Sequence, residues 1–583
     1  MHEYPFSMSE HYYFVEFIKS LRPSFPLKSR VTVRKGIMDI FLEYKDKLYA
    51  YLKTVKSQFS ATMDIWISCQ NKSYMCVTIH WVDDEWRLQK RIIGLFHVEG
   101  RHTGQKLSQI FSEVMVKWYV EKKLFALTLD NAGSNEVVVK DVIADLKESN
   151  GNLVCDGIFF HVRCACHILN LVARDGLSVI SNTIGKIKSI VLAVKGSPLH
   201  WEGLMKCAAK CGLDTTKGLS YDVSTRWNST YLMLRDALYF KPAFLRLKSR
   251  DCRRYEHICP KDNEWNMAVT LFQCLKKFYD LTELLSGTSY PTANLFYRGF
   301  YEIKELVDKW CISDDFTIRD MAVAMSAKFE KYWKKSSTAL AVACFLDPRY
   351  KKRLIEFYMK RFYGDMYQVE LEELLSVITK LYQFYASLTP SPTKNKSDVA
   401  GTRNIDDILL DNPDEELENF LYESSGHDND DLDELDKYMA QPLLKHCGQF
   451  DILPWWRGKT KEFSILAKIA RDVMAIQVST VASESAFSAG GRVIDPYRSS
   501  LSSDMVEALI CTKDWLAAER KDSKKDQSVV IDLELMEIIF AAMKLRKEEE
   551  KKNGMAQTED AIPQTEDATR SEANAMDEDF VEQ

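Results

Sequence analysis

Two aspartates sit where carboxylates are expensive. Asp64 falls in Met63-Asp64-Ile65-Trp66-Ile67-Ser68, where Met63, Ile65 and Ile67 share one face of a strand and Asp64, Trp66 and Ser68 the other. Asp130 ends the apolar run of residues 124–129. A carboxylate facing a buried layer is costly unless it is paired or binds a metal ion. The plainer alternative makes both aspartates turn or cap residues. Glu484, in Ser483-Glu484-Ser485, reads on spacing alone as a solvated first-turn glutamate favoured by the helix dipole. Cys164-Ala165-Cys166-His167 offers two thiols and an imidazole. Cysteines one residue apart suit tetrahedral zinc poorly and no second ligand pair is evident, so the expectation is a strand-to-helix junction with buried thiols and no zinc. Arg226-Trp227 lies in an amphipathic helical stretch where a core tryptophan is the default.

The elements that must hold these residues follow from periodicity. Residues 1–58 read as short helices: Tyr13, Phe14, Phe17, Ile18 and Leu21 fall on one face, a Pro23–Pro26 break follows, and residues 37–52 resume the helical pattern. From Phe59 the period becomes two. Strands are expected around Asp64, over 74–81 and over 88–98, with Asp83-Asp84-Glu85 as a turn between the last two. A helix with Leu107, Ile110, Phe111, Val114 and Trp118 inward comes next. The strand 124–129, a helix over 136–147, a strand over 158–162 and a helical pattern over 167–194 follow. Three meandering strands, then helix, strand, helix, strand, helix is the order of an α/β, ribonuclease H-like fold, assigned to 59–199. An all-helical insertion is expected over 200–387 and an acidic flexible linker over 388–436. A C-terminal region over 437–545 completes the core, and an acidic disordered tail covers 546–583. Within 437–545, Ser483 is placed to cap the helix bearing Glu484, Gly490-Gly491 to end it, and Asp504 to open another with Glu507 as capping-box partner. Val506, Leu509, Ile510 and Leu516 form a stripe in that second helix, part of it a candidate dimer interface.

Composition narrows the class. At 46% hydrophobic and 11% aromatic, 583 residues carry enough apolar matter for three or four packed units. No apolar run reaches the ~18–20 residues of a membrane span, so a soluble intracellular chain without a membrane partner is expected. The 14 cysteines show no framework spacing and no CxxC pair, as for reduced thiols. The absence of a GxxxxGK[ST] loop excludes a P-loop nucleotide cofactor. Net charge is −6, yet residues 401–440 hold −12 and 553–583 hold −8, leaving +14 on the remainder, which is compatible with a polyanionic partner.

The stretch IQVSTVASESAFSAGGRVIDPYRSSLSSDMVEALICTKDWL (476–516) resembles the C-terminal dimerisation region of hAT-family DNA transposases, most like plant transposase-derived proteins of the DAYSLEEPER/RICESLEEPER type. DVSTRWNSTYLML, YPTANLF and FLDPRYKKRL resemble the helical insertion of that family. The resemblance implies a DDE triad of Asp64 (DIWIS), Asp130 (LTLDNAGSN) and Glu484 (ASESAFS). Three converging carboxylates repel, and two Mg²⁺ or Mn²⁺ ions would relieve that while activating an attacking oxygen on a phosphodiester. It also implies DNA contacts at Cys164 and His167 (the CxxH motif) and at Arg226 and Trp227, the tryptophan stacking on a flipped base, a role that an exposed Trp227 would support. DNA, a homo-oligomer and a nuclear location follow from the same likeness. HEYPF…VRKGIMDIF resembles the segment after an N-terminal BED zinc finger, and no such finger is found in these residues. Gln477 stands where the family usually has Pro, a change expected to loosen the approach to Glu484. These departures point to a domesticated, transposase-derived nuclear DNA-binding protein that dimerises and acts in gene regulation. The complete triad keeps the alternative of an active transposase that cuts through flanking hairpins and joins DNA.

Overall fold

One mixed sheet organises the molecule. The computed structural model describes residues 4–149, 153–223, 226–334, 337–388, 433–445, 450–494 and 501–526. Its strands are β1 (Phe59–Ile67), β2 (Ser73–Val82), β3 (Leu88–Val98), β4 (Leu124–Leu129) and β5 (His161–Arg163), in the spatial order β3-β2-β1-β4-β5. The first three form an antiparallel meander, and β4 and β5 add in parallel. The β2–β3 turn is tied by Asp83, whose carboxylate accepts from the Arg87 backbone N–H at 2.8 Å and from Gln89 Nε2 at 2.9 Å. Parallel strands need crossovers. Helix Gly104–Lys117 links β3 to β4, and helix Ser134–Glu148 links β4 to β5. This is the ribonuclease H-like order expected from the periodicity.

Local departures have local causes. β5 begins at His161 rather than 158, because Cys155 and Asp156 take positive φ (46° and 57°) and the chain is still turning through the buried Phe159 and Phe160. The helical pattern over 167–194 resolves into two helices, Ala165–Val179 and Ser181–Lys195, broken at Ile180. The Glu484 helix runs Val481–Val493 with Thr480 before it, so Ser483 is not its cap. Ser483 is fully buried and faces Thr62, Oγ to Oγ1 3.4 Å. Gly490 and Gly491 lie inside that helix, and a Cβ on Gly490 would sit 3.1 Å from the Trp66 ring. They allow close packing rather than termination.

The helical body runs from Pro198–Lys210 to Tyr367–Ser387 around the long helix Asp262–Leu285, whose Trp265, Leu271, Phe278 and Leu285 are buried. The C-terminal region divides between two cores. Helices Glu434–Ala440, Ile452–Gly458 and Ser464–Val473 close the helical body, where Trp456 Nε1 donates to the Leu346 carbonyl at 3.1 Å. The Glu484 helix and the last helix, Ser503–Asp526, return to the sheet. The β2–β3 register slips at Ile93, next to the backbone N–H and carbonyl of Ile92. The last helix takes them up: the Ile92 N–H donates to Asp514 Oδ2 and Trp515 Nε1 donates to the Ile92 carbonyl, each at 2.8 Å.

That docking divides the stripe read from the sequence. Val506 (0% exposed) and Ile510 (3%) are spent on the chain's own core because the last helix lies on the sheet. Leu509 and Leu516 are half-buried. The helix begins at Ser503 rather than at Asp504, and burial raises the pKa of Glu507, opposed by nearby Lys45 and Lys117. Residues 1–516 form one compact unit. The second unit begins at Ala517, and its described part continues the last helix to Asp526. The linker over 389–432, the helical pattern over 531–545 and the acidic tail lie outside the described residues. Among those described, no single helix is long and apolar enough to cross a membrane.

Candidate active site

Strand register alone puts the two aspartates together. β1 and β4 pair in parallel with Ala61 opposite Leu127 and Thr62 opposite Thr128. Two residues further along each strand are Asp64 and Asp130, which the alternation of side chains carries to the same face. Asp64 is half-buried, its Oδ1 accepting from the Ile65 N–H at 2.8 Å. Asp130 Oδ1 accepts from the Ala132 N–H at 3.1 Å and from the amide of Asn135, which fixes the carboxylate at the strand's end.

Glu484 arrives from far along the chain on a tethered approach. Thr128 Oγ1 donates to the Gln477 carbonyl and the Ala165 N–H to the Val478 carbonyl, each at 2.7 Å. The Val478 N–H reaches Thr292 Oγ1 at 3.2 Å, and Ser479 Oγ donates to the Leu285 carbonyl at 3.1 Å. Gln477 is thus held through its backbone carbonyl, a contact that its side chain does not enter. Phe487 then stacks on Trp66, ring centroids 5.9 Å apart, which turns the first helical turn and Glu484 toward the aspartates.

A cavity of about 600 Å³ opens between the sheet edge and the helical body. Asp64, Asp130, Glu484, His167, Arg226 and Trp227 all line it, so six of the seven residues singled out for chemistry or DNA contact meet in one place. Cys164 lies behind the cavity, 2% exposed, accepting from Thr480 Oγ1 at 3.6 Å. Burial pushes the Asp64 carboxyl up to about 7, and the negative charges of Asp130 and Glu484 push the same way. Burial lowers the pKa of His167 while Asp130 and Glu484 oppose that change. Burial raises the Cys164 thiol to about 12 and Cys166 to about 11. Both are thiols rather than the thiolates that ligate metal.

The donor set suits a hard divalent cation, being all carboxylate oxygen with a negative field already concentrated on Asp64. Among the described residues no three His, Cys, Asp or Glu side chains form a ready cluster. Magnesium commonly takes one or two carboxylates and fills the rest of its shell with waters and substrate phosphates.

Trp227 takes the core place that is its default, without the exposure that would support stacking on a base. It is 3% exposed and packs edge-on against Phe278 at 6.1 Å, because it opens the helix Trp227–Tyr239 with its ring turned to the core. The half-buried indole on the cavity wall is Trp66, on the same strand face as Asp64. Its signal lay in the alternation that singled out Asp64. Thr282 and Ser286, one turn apart on the far wall, had no sequence signal.

Comparison with known proteins accounts for this arrangement. Successive family models match a ZBED1 RNase-like domain over 62–159 and a ZBED1 RNase-like helical domain over 162–274. They continue with a hAT-like transposase RNase-H fold over 294–385 and the hAT family C-terminal dimerisation region over 434–516. The "Putative AC transposase" of Zea mays is 66% identical over 562 residues, 96% of this chain and 69% of the relative. The "Putative AC9 transposase" of the same species is 65% identical over 89% of this chain and 65% of its own length. RICESLEEPER 2 of Oryza sativa subsp. japonica, a zinc finger BED domain-containing protein, is 31% identical over 88% of this chain and 73% of its own length. The chain thus spans about two thirds of the maize relatives' length, and the likeness to them is about twice that to the RICESLEEPER type. On this fold, this cavity and these relatives, the chain belongs to the hAT transposase family.

Proposed function

We propose that the chain is the catalytic and self-associating part of a DNA transposase that acts in the nucleus, cutting phosphodiester bonds at element ends and joining them to new DNA. The observation that carries this reading is the meeting of Asp64, Asp130 and Glu484 in one cavity, from two strands and a distant helix. Two Mg²⁺ or Mn²⁺ ions held by these carboxylates would supply activation of the attacking oxygen and stabilisation of the leaving one. The chain's own groups do the positioning. Arg226, exposed at the cavity, is suited to a backbone phosphate, and Trp66 offers an aromatic face beside Asp64. His167, with its lowered pKa, stays neutral near pH 7 and both accepts and donates hydrogen bonds.

A second reading, a DNA-binding regulator that no longer cuts, is supported by the 31% likeness to RICESLEEPER 2. The 66% likeness to a maize AC transposase and the tethered approach to Glu484 favour the first. A nicking assay separates them. The full chain is incubated with Mg²⁺ or Mn²⁺ and a plasmid carrying the genomic sequence that flanks this coding region on both sides. Nicks at the element boundary are expected, and Asp64→Asn should abolish them with the fold and DNA binding retained. Tight binding without nicking by the wild type would leave the regulator.

A further inference from the structure

The N-terminal helices keep much of their aromatic surface outside. The short turn Phe6–Glu10 packs against helices Tyr12–Leu21 and Arg30–Thr54. An apolar groove of about 710 Å³ there is lined by Phe6, Tyr13, Phe14, Phe17, Ile37 and Leu509, among others. At this groove Tyr4 is 64% exposed, Tyr13 75% and Phe17 57%, and Tyr12, beside Tyr13 at 5.3 Å between ring centroids, is 68% exposed. Isolated exposed apolar side chains are ordinary, whereas a run of aromatics around a groove marks a contact surface.

Leu509 indicates the occupant. Its neighbours on the stripe, Val506 and Ile510, are consumed by the chain's own core, while Leu509 turns half-exposed into the groove. It lies within the match to the hAT dimerisation region, so the groove is continuous with the part of the chain that names self-association. We infer that a second copy of this chain docks here, the Tyr13–Phe17 surface and the Leu509 groove of each copy facing the same features of the other. Such an isologous contact needs only one self-complementary patch. Aromatic side chains bury about 150–250 Å² each, so four that are more than half exposed offer about 400–600 Å² of the roughly 800 Å² per partner of a standard interface. The Glu10–Arg30 ion pair, at 3.7 Å, supplies a polar rim. The N-terminal helices, more than the stripe read from the sequence, thereby provide the contact.

The inference rests on the proposed self-association and is independent of cleavage. Light scattering on the full chain at micromolar concentration should give twice 67.4 kDa. The double variant Tyr13→Glu/Phe17→Glu should run as a folded monomer, its dimer dissociation constant raised about 100-fold or more by charges placed in an apolar contact. A photo-crosslinking phenylalanine at position 17 should join tagged to untagged copies. A wild-type monomer would remove the self-association and this surface together. A double variant that dimerises like the wild type would remove only the surface, as would crosslinks confined within one chain. The crosslinking arm still decides the matter if the double variant fails to fold.

Discussion

Asp64 works against the stability of the fold it belongs to. Its pKa is raised from 3.8 to about 7, so the folded chain binds more protons than the unfolded one between about pH 4 and 7. Stability is therefore lost as pH rises through that window. At about 1.4 kcal/mol per pKa unit, a rise of about three units is a penalty of about 4 kcal/mol above pH 7. Asp64→Asn, assayed by urea unfolding in chelator, should be more stable than wild type by about that amount at pH 8 and equal to it at pH 4. An unchanged or lower stability at pH 8 would show that the carboxylate is not strained. Asp472 carries a related burden farther away. Burial raises it to about 6, while the Tyr385 hydroxyl at 2.6 Å and the Gln58 N–H at 2.8 Å hold its ionised form. Its contribution likewise falls as pH rises through 6. Tyr385→Phe should cost about 1.5–3 kcal/mol at pH 8 and less at pH 4, where the carboxyl is protonated. An equal cost at both would assign the effect to packing. The sequence disclosed Asp64 through the oddity of a carboxylate in a strand. It did not disclose Asp472, since nothing in its helical stretch distinguishes a buried aspartate from a solvated one.

At the scale of elements, strands read well and helix ends read badly. The period-two segments emerged close to their expected bounds because β1, β2 and β3 each alternate or are continuously apolar. Ser483 and Gly490-Gly491 carry residue types typical of helix ends, yet tertiary contact put them to other uses: Ser483 meets Thr62 and Gly490 makes room for Trp66. Size at position 490 gives a test. Gly490→Ala should be nearly neutral, the gain of about 1 kcal/mol in helix propensity offsetting a 3.1 Å approach to Trp66. Gly490→Leu should cost about 1–3 kcal/mol through overpacking and lower nicking more than DNA binding, since Trp66 and the Glu484 helix must part. Equal losses of nicking and binding would mean that the helix position is unimportant to cleavage. Buried Trp227 and buried Val506 mark the same limit of a sequence. A stripe or an aromatic pair shows that a partner exists, and only the fold shows whether that partner is the chain itself.

For the whole molecule, the C-terminal region is less a separate domain than a seam. Among the described residues, buried apolar side chains from Leu435 to Val478 belong to the helical core and those from Ala486 to Trp515 to the sheet, so both cores are closed by the same stretch of chain. The sequence supported the α/β order, the helical insertion and the resemblance. It could not show this division, because a stretch with two successive apolar patterns looks the same whether it packs on one body or two. The division also has a consequence in time. Thr128, at the end of the strand bearing Asp130, waits for Gln477 across 349 residues. At a synthesis rate of about 5–20 residues per second, roughly 20–70 s separate the emergence of the two sides. Throughout that interval the nascent chain carries Asp64 and Asp130 but not Glu484. On the proposed reading, the cavity stays without its third carboxylate until residue 484 has emerged, so a product broken off before that residue would keep the sheet and lack the proposed chemistry.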